Sequence, residues 1–141
     1  MTMTIGADHA LAQLAASIAF ADAGAQPSTI RLYADAAAAT GSAPAGTPLA
    51  EIPLAKPCGT VASGHLTLHV ADPAGAMVLA TGQPRAAHWV NDAGLLVAAG
   101  TVTDMDHGGD FRVGGASTPP GDDTPTLYAG RLVLLGAVVL D

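Results

Sequence analysis

The stretch "HWVNDAGLLVAAGTV", His88 to Val102, decides how the chain is read. It holds the single Trp, Trp89, with His88 beside it and the pair Asn91–Asp92 just beyond. Those residue types suit either an active-site cluster or two strands joined by a turn. Asn and Asp open turns through side-chain-to-backbone hydrogen bonds, and Gly94 supplies a positive φ at the end of "NDAG". On either side, "AAHWV" and "LLVAAGTV" have strand composition, with Trp89 alternating against His88 and Val90 as a half-buried residue does. A hairpin accounts for every residue of the stretch, whereas a catalytic cluster would use only three. The expectation is a hairpin.

The same punctuation continues outward. "GHLTLHV" (64–70) alternates cleanly, with Leu66, Leu68 and Val70 on one face and His65, Thr67 and His69 on the other. "DPAG" (72–75) is a turn with Pro second and Gly fourth, after which "AMVLAT" returns and "GQPR" turns again. "STIRLYA" (28–34) places Ile30, Leu32 and Ala34 opposite Arg31 and Tyr33. "LAEIPLA" (49–55) is expected at a sheet edge because Pro53 has no ladder donor, and "KPCGTVAS" is expected to turn the chain.

Beyond the hairpin come a polar loop "TDMDHGGD" (103–110), a short strand "FRVGG" and a long Pro-rich loop "ASTPPGDDTPT". The run "YAGRLVLLGAVVLD" is apolar on both faces and predicts one or two well-buried strands. At the front, residues 1–8 read as a loose arm. From Asp8 to Asp22 the composition predicts a short helix, with Asp8 as cap and Leu11, Leu14, Ala15 and Ile18 at helical spacing. Gly24 and Pro27 stop it. About eight strands, with frequent turns and no helix–strand alternation, predict a mainly β fold. The expected layout is an arm and short helix over residues 1–28, then a single antiparallel, jelly-roll-like β-sandwich over 29–141.

Charge narrows the function. Of 141 residues only 12% are Asp, Glu, Lys or Arg, against roughly 25% in an average soluble domain. Half are apolar, so neighbouring molecules are expected to cover part of the surface. The net charge is −7, and the basic residues Arg31, Lys56, Arg85, Arg112 and Arg131 are scattered singly. Without a basic cluster, neither direct nucleic-acid binding nor attachment to an anionic membrane is expected. No run approaches the roughly 18 apolar residues of a membrane span. "ALAQLAASIAFADAGA" (10–25) is not expected to be a secretory leader, because Asp8 and His9 stand where a positive front end belongs. The one cysteine, Cys58, gives neither a disulfide framework nor a zinc pair.

Each motif that suggests chemistry has a plainer explanation. "DMDHGGD" brings Asp104, Asp106, His107 and Asp110 together, but a calcium loop needs a longer run ending in a bidentate Glu. A solvated turn is expected, its aspartates serving the backbone. His65 and His69 have the spacing of a zinc-binding helix pair, yet on a strand that spacing separates them by roughly 13 Å. "GSAPAGT" (41–47) lacks the Lys of a phosphate loop, and Ser63 lacks the first Gly of a nucleophile elbow, Val61 standing there. Cys58, between Pro57 and Gly59, has no neighbouring cation to activate it. Glu51, the only Glu, has Asp35 as its nearest Asp in sequence, too far for a local carboxylate pair. No catalytic, cofactor-binding or metal-binding residue is assigned, and no cofactor is expected.

Taken in order, the Ala-rich helix, "IRLYADAAAAT…GTPLAEIPLA", "GHLTLH…ATG…AAHWVNDAGLLVAAGTV" and the apolar final strand resemble small virion structural proteins of tailed bacteriophages. Within that family the likeness is to capsid cement (decoration) proteins of short-tailed phages, and it runs over most of residues 10–140. The resemblance implies a jelly-roll sandwich that assembles as small homo-oligomers on the outer capsid surface. Its implied partners are the major capsid protein, whose neighbouring subunits it bridges, and itself, with a homodimer as default. It implies no catalytic residues. The N-terminal arm, the Pro-rich loop 116–125 and the outer face of the last strand are the expected contact elements. Three alternatives stand beside this: a tail or baseplate structural protein, a jelly-roll module for carbohydrate or a cell surface, and a metal-assisted enzyme built on "DMDHGGD".

Overall fold

The computed structural model describes residues 3–140. It is mainly β with one short N-terminal helix, as expected. The hairpin at the centre of the sequence forms as read. β5 (Ala86–Val90) and β6 (Leu96–Asp104) pair antiparallel across "NDAG". Gly94 N donates to Asn91 O and Leu95 N to Asn91 Oδ1, so the Asn side chain closes the turn. One detail differs: β5 is buried on both faces, not half-buried. Trp89 faces the core, and His88 is covered by a 3-10 turn at Ala36–Thr40.

Among the described residues nine strands form one curled ladder. The remaining strands are β1 (Thr29–Tyr33), β2 (Ala50–Ala62), β3 (His65–Val70), β4 (Ala76–Met77), β7 (Phe111–Gly114), β8 (Leu132–Leu135) and β9 (Val139–Leu140). Their spatial order is β4-β8-β7-β6-β5-β1-β2-β3-β9. An antiparallel bridge from Ala50 to Val78 ties the segment after β4 back to the start of β2, which draws the sheet round on itself. Ile30, Leu54, Leu66, Trp89, Val113 and Val133, from six different strands, meet in the one core this encloses.

The ladder is mixed rather than wholly antiparallel, because β7 runs parallel to β6. A parallel neighbour ordinarily needs a crossover of a dozen or more residues. Here residues 105–110 make the return, and β6 itself fastens them: Thr103 Oγ1 accepts from Gly109 N, and Asp110 Oδ2 accepts from Thr101 N. The glycines are sterically required, since a Cβ at Gly109 would lie 2.8 Å from the Thr103 side chain and one at Gly100 2.7 Å from Asp110 Cβ.

β2 corrects two expectations. It lies between β1 and β3, not at an edge, and "KPCGTVAS" continues it instead of turning the chain. Pro53 is tolerated because its carbonyl accepts from Ala71 N, just past the end of β3, so the missing donor falls where that ladder stops. The register with β3 shifts between Leu54 and Gly59, which absorbs Pro57 within a bulged strand. β4 also differs: it follows the "DPAG" turn but pairs with β8, not back onto β3.

The final apolar run makes β8 and β9; β8 is half-covered and β9 exposed, where well-buried strands were expected. Val133 and Val138 enter the core while Leu132, Leu134, Val139 and Leu140 face outward. At the other end, helix α1 (Ala7–Ala21) turns Leu14, Ile18 and Ala21 onto the core. Its N-cap is Gly6, with no side-chain cap; Asp8 lies inside the first turn, where a carboxylate favours the positive end of the helix. Leu11 and Ala15 stay exposed, and Gly24 (φ +100°) ends the helix region as expected. Residues 3–6 of the expected arm are exposed, whereas Met1 and Thr2 lie outside the described residues, as does Asp141.

Ser63 and Gly64 join β2 to β3 with positive φ at both positions, 53° and 80°, as a two-residue type I′ hairpin demands. Ser63→Val should therefore lower stability by about 1–2 kcal/mol in urea unfolding, because a β-branched residue is strained there. Ser63→Asn should match or exceed the parent, and equal stability of the Val variant would refute the turn geometry.

Candidate functional site

The densest group of titratable side chains lies in the return between β6 and β7. Asp104, the last residue of β6, accepts from the backbone N–H groups of Asp106 and His107 at 3.0 and 3.1 Å. The same Oδ1 takes the ring N–H of His107 at 2.6 Å, and Oδ2 takes the hydroxyl of Thr118 at 2.6 Å. These donors favour the ionised carboxylate. The Thr118 hydroxyl, followed by His107, holds Asp104 down to about 2 from an ordinary 3.8. His107 is raised above its usual value, chiefly by its hydrogen bond to Asp104.

The other acidic groups of the stretch do not converge on a shared point. Asp110 is engaged by both the N–H and the hydroxyl of Thr101. Asp106 is exposed. Among the described residues no three His, Cys, Asp or Glu side chains gather to hold a metal ion. Thr103, the hydroxyl nearest the group in sequence, donates to Asp104 O and accepts from Gly109 N. Asp104 and Asp110 do serve the backbone, as expected of a turn, and Asp104 also fastens a second loop.

That second loop is the Pro-rich segment 116–125, which is pinned rather than adaptable. Thr118 anchors it to Asp104, and Asp104 N donates to Asp123 O at 2.8 Å. Arg85 reaches Asp122 and Asp123, while Gln83 donates to Asp122 and to Thr124 O. Thr124 and Pro125 are buried. Sequence spacing gave no signal of this network, because its partners are separated by 37 or more positions on Arg85 and Gln83 alone.

The remaining candidates have structural roles. His65 and His69 are exposed on β3, with His69 Nε2 3.1 Å from Thr60 Oγ1 of β2. In "GSAPAGT", Ser42 donates to Ala37 O, and Ala45 N donates to Asp35, which also caps the 3-10 turn. Glu51 faces Arg31 across β1 and β2, a charge contact of 3.2 Å in which the Arg31 Nε–H is not aimed for a hydrogen bond. His88 donates from Nε2 to Ala38 O at 2.7 Å and meets Tyr33 edge-on, which pins the 3-10 turn to β5. Trp89 Nε1 donates to the buried Ser28 hydroxyl.

Open clefts are also formed by the described residues. One of about 450 Å³ lies over His107, Arg85 and Asp123. One of about 550 Å³ runs between β9 and the β6–β7 region, floored by Trp89 and Phe111. One of about 470 Å³ lies beneath Tyr128 and Arg131, walled by Pro119 and Pro120. In the last, the Arg131 guanidinium sits 5.7 Å from the Tyr128 ring centre, a cation–π stack that sequence reasoning missed. The chain matches no family model, no curated protein and no solved structure.

The acid–base geometry sets a pH window. His107 binds its proton more tightly in the fold, so its contribution is present below pH 6.5 and lost as pH rises through the raised value. Asp104 contributes above 3.8 and loses that contribution as pH falls towards about 2. An NMR titration should show His107 protonated beyond the ordinary His range, and Asp104→Asn should return it to that range while loosening the signals of Thr118. An ordinary His107 midpoint in the parent would refute the pairing.

Cys58 N donates to Asp22 Oδ2, and burial, followed by the Asp22 charge, pushes the thiol up to about 12. Folded protein at pH 8 should therefore resist thiol reagents and become labelled only on unfolding in denaturant. Rapid labelling of the native chain would overturn that burial.

Proposed function

We propose that this chain is a non-enzymatic structural protein of the virion. In that role it is a capsid cement (decoration) protein on the outer capsid surface, bridging neighbouring major capsid subunits and reinforcing the shell. The observation that carries the proposal is a contrast within the fold. The carboxylates and hydroxyls of the candidate site fasten backbone and loops, while large apolar side chains stand outward on α1, β4, β8 and β9. A protein with that distribution offers contact rather than chemistry. The jelly-roll-like sandwich belongs to the same proposal, supported by the curl that encloses one core between both ends of the ladder. A homodimer on the capsid is part of it, and a place in the tail or baseplate would use the same surfaces.

A carbohydrate or cell-surface module has one observation in its favour, Tyr128, which is 52% exposed above a cleft of about 470 Å³. Trp89, Tyr33 and Phe111 are buried, so no second sugar platform accompanies it except Phe20 on α1. A glycan array without hits removes this alternative.

The cement role is tested on particles. The protein should co-sediment with capsids, and particles carrying it should survive heating and osmotic shock that break particles lacking it. Equal survival of the two would end the proposal.

A further inference from the structure

β4 and β8 are paired strands that are apolar on both faces. Val78, just after β4, and Val133 are 2% and 0% exposed on the inner side, while Met77 and Leu132 are opposed on the outer side at 59% and 51%. Leu79 at 58% and Leu134 at 37% extend the outer row in each direction. Strands apolar on both faces are ordinarily covered on both. Here the described residues leave the outer face open.

The ends of this face carry opposite charges. Beside Leu132 stands Arg131, exposed, stacked on Tyr128, and with no acidic partner among the described residues. At the Leu134 end lies the 72–75 turn, in which Asp72 is exposed and Gly75 packs so closely that a Cβ would fall 2.9 Å from Leu134 Cδ2. The centre, formed by Met77 and Leu132, is uncharged.

We infer that this face binds a second copy of the chain around a two-fold axis through the Met77–Leu132 pair. Such an axis lays the Arg131 end of one copy against the Asp72 end of the other, twice. The complementarity matters because two copies of a chain of net charge −7 repel each other at long range. Met77 at the uncharged centre, with Tyr128 and Arg131 at one end and neither Lys nor Glu on the face, also matches the residue types enriched at interfaces. The face is small for a specific interface, so the dimer is expected to dissociate in the micromolar range. The inference deepens the contact-protein proposal and rests on it for the purpose of the dimer, not for its existence.

Sedimentation velocity of the full chain across micromolar concentrations should show a monomer–dimer equilibrium. Leu132→Asp and Met77→Asp should each weaken it by about tenfold or more, as should Arg131→Asp and Asp72→Arg alone. The double reversal, Asp72→Arg with Arg131→Asp, should restore dimerisation to near the parent level. Circular dichroism will show whether each variant keeps the fold; if an apolar variant unfolds, the charge reversals decide, since both residues are exposed. A monomer at every concentration, a dimer indifferent to both apolar variants, or a double reversal no better than the singles overturns the inference. The capsid assay separates the two proposals: a dimer that ignores capsids sinks the cement role alone, and a capsid-binding monomer sinks this face and the homodimer while the cement role stands.

Discussion

The carboxylate of Asp104 holds three pieces of chain at one point: the end of β6, the return 105–110 and the Pro-rich segment through Thr118. A parallel pair joined by so short a return has no helix to carry the chain back, so the side chains at the end of β6 must do it. Once β7 is laid beside β6, β8 can pair with β7, β4 with β8, and the segment after β4 with Ala50. A third of the ladder, β7, β8 and β4, is therefore downstream of one ionised side chain and the threonines beside it. The group that looks most like an active site is the clasp that closes the fold.

The scarcity of charge and the exposed apolar surface have a common origin. Several of the aspartates act on backbone N–H groups: Asp22 on Cys58, Asp35 on Ala37 and Ala45, Asp72 on Ala74, Asp92 on Gln26, and Asp110 on Thr101. Arg31 and Arg85 are occupied by Glu51 and by Asp122 with Asp123. Asp35 and Asp72 lock turns, a task that Asp performs better than Glu because its short side chain reaches nearby backbone, while Asp22 and Asp92 fasten segments distant in sequence. Much of the outside is left to Ala, Leu, Met and Val. Exposed pairs of this kind add little stability one by one. Their effect is geometric, fixing loops that would otherwise be free.

How much of this was legible in the sequence followed the range of the forces involved. The "NDAG" hairpin, the alternation of "GHLTLHV" and the Ala-rich helix rest on neighbours in the chain, and each stands where expected. Pro53 misled because a missing donor was read as a sheet edge, when the ladder merely ends opposite it. The parallel β6–β7 pair was hidden because turn chemistry in "TDMDHGGD" gives no direction to the strand that follows. The site was legible as a turn but not as a clasp, since Thr118 and Asp123 reach Asp104 across the sequence. In the last run, "RLVLLGAVVL", the side chains are apolar on both faces, but among the described residues only Val133 and Val138 are buried and Leu132, Leu134, Val139 and Leu140 stay exposed.

That last mismatch bears on the proposed role. A surface segment that must recognise a partner is ordinarily penalised by the entropy of ordering it. Here the walls of the Tyr128–Arg131 cleft are already ordered, because Thr118, Gln83 and Arg85 tie the Pro-rich segment down before any partner arrives. Pre-ordered faces of modest area bind weakly as single contacts, yet they become strong when a lattice presents many at once, since each later contact is made at high local concentration. A scaffold stiffened by internal carboxylates and left apolar outside suits repeated attachment better than a single tight encounter. Rigidity in the loops and bareness on the strands are then two consequences of one allocation of a few charges.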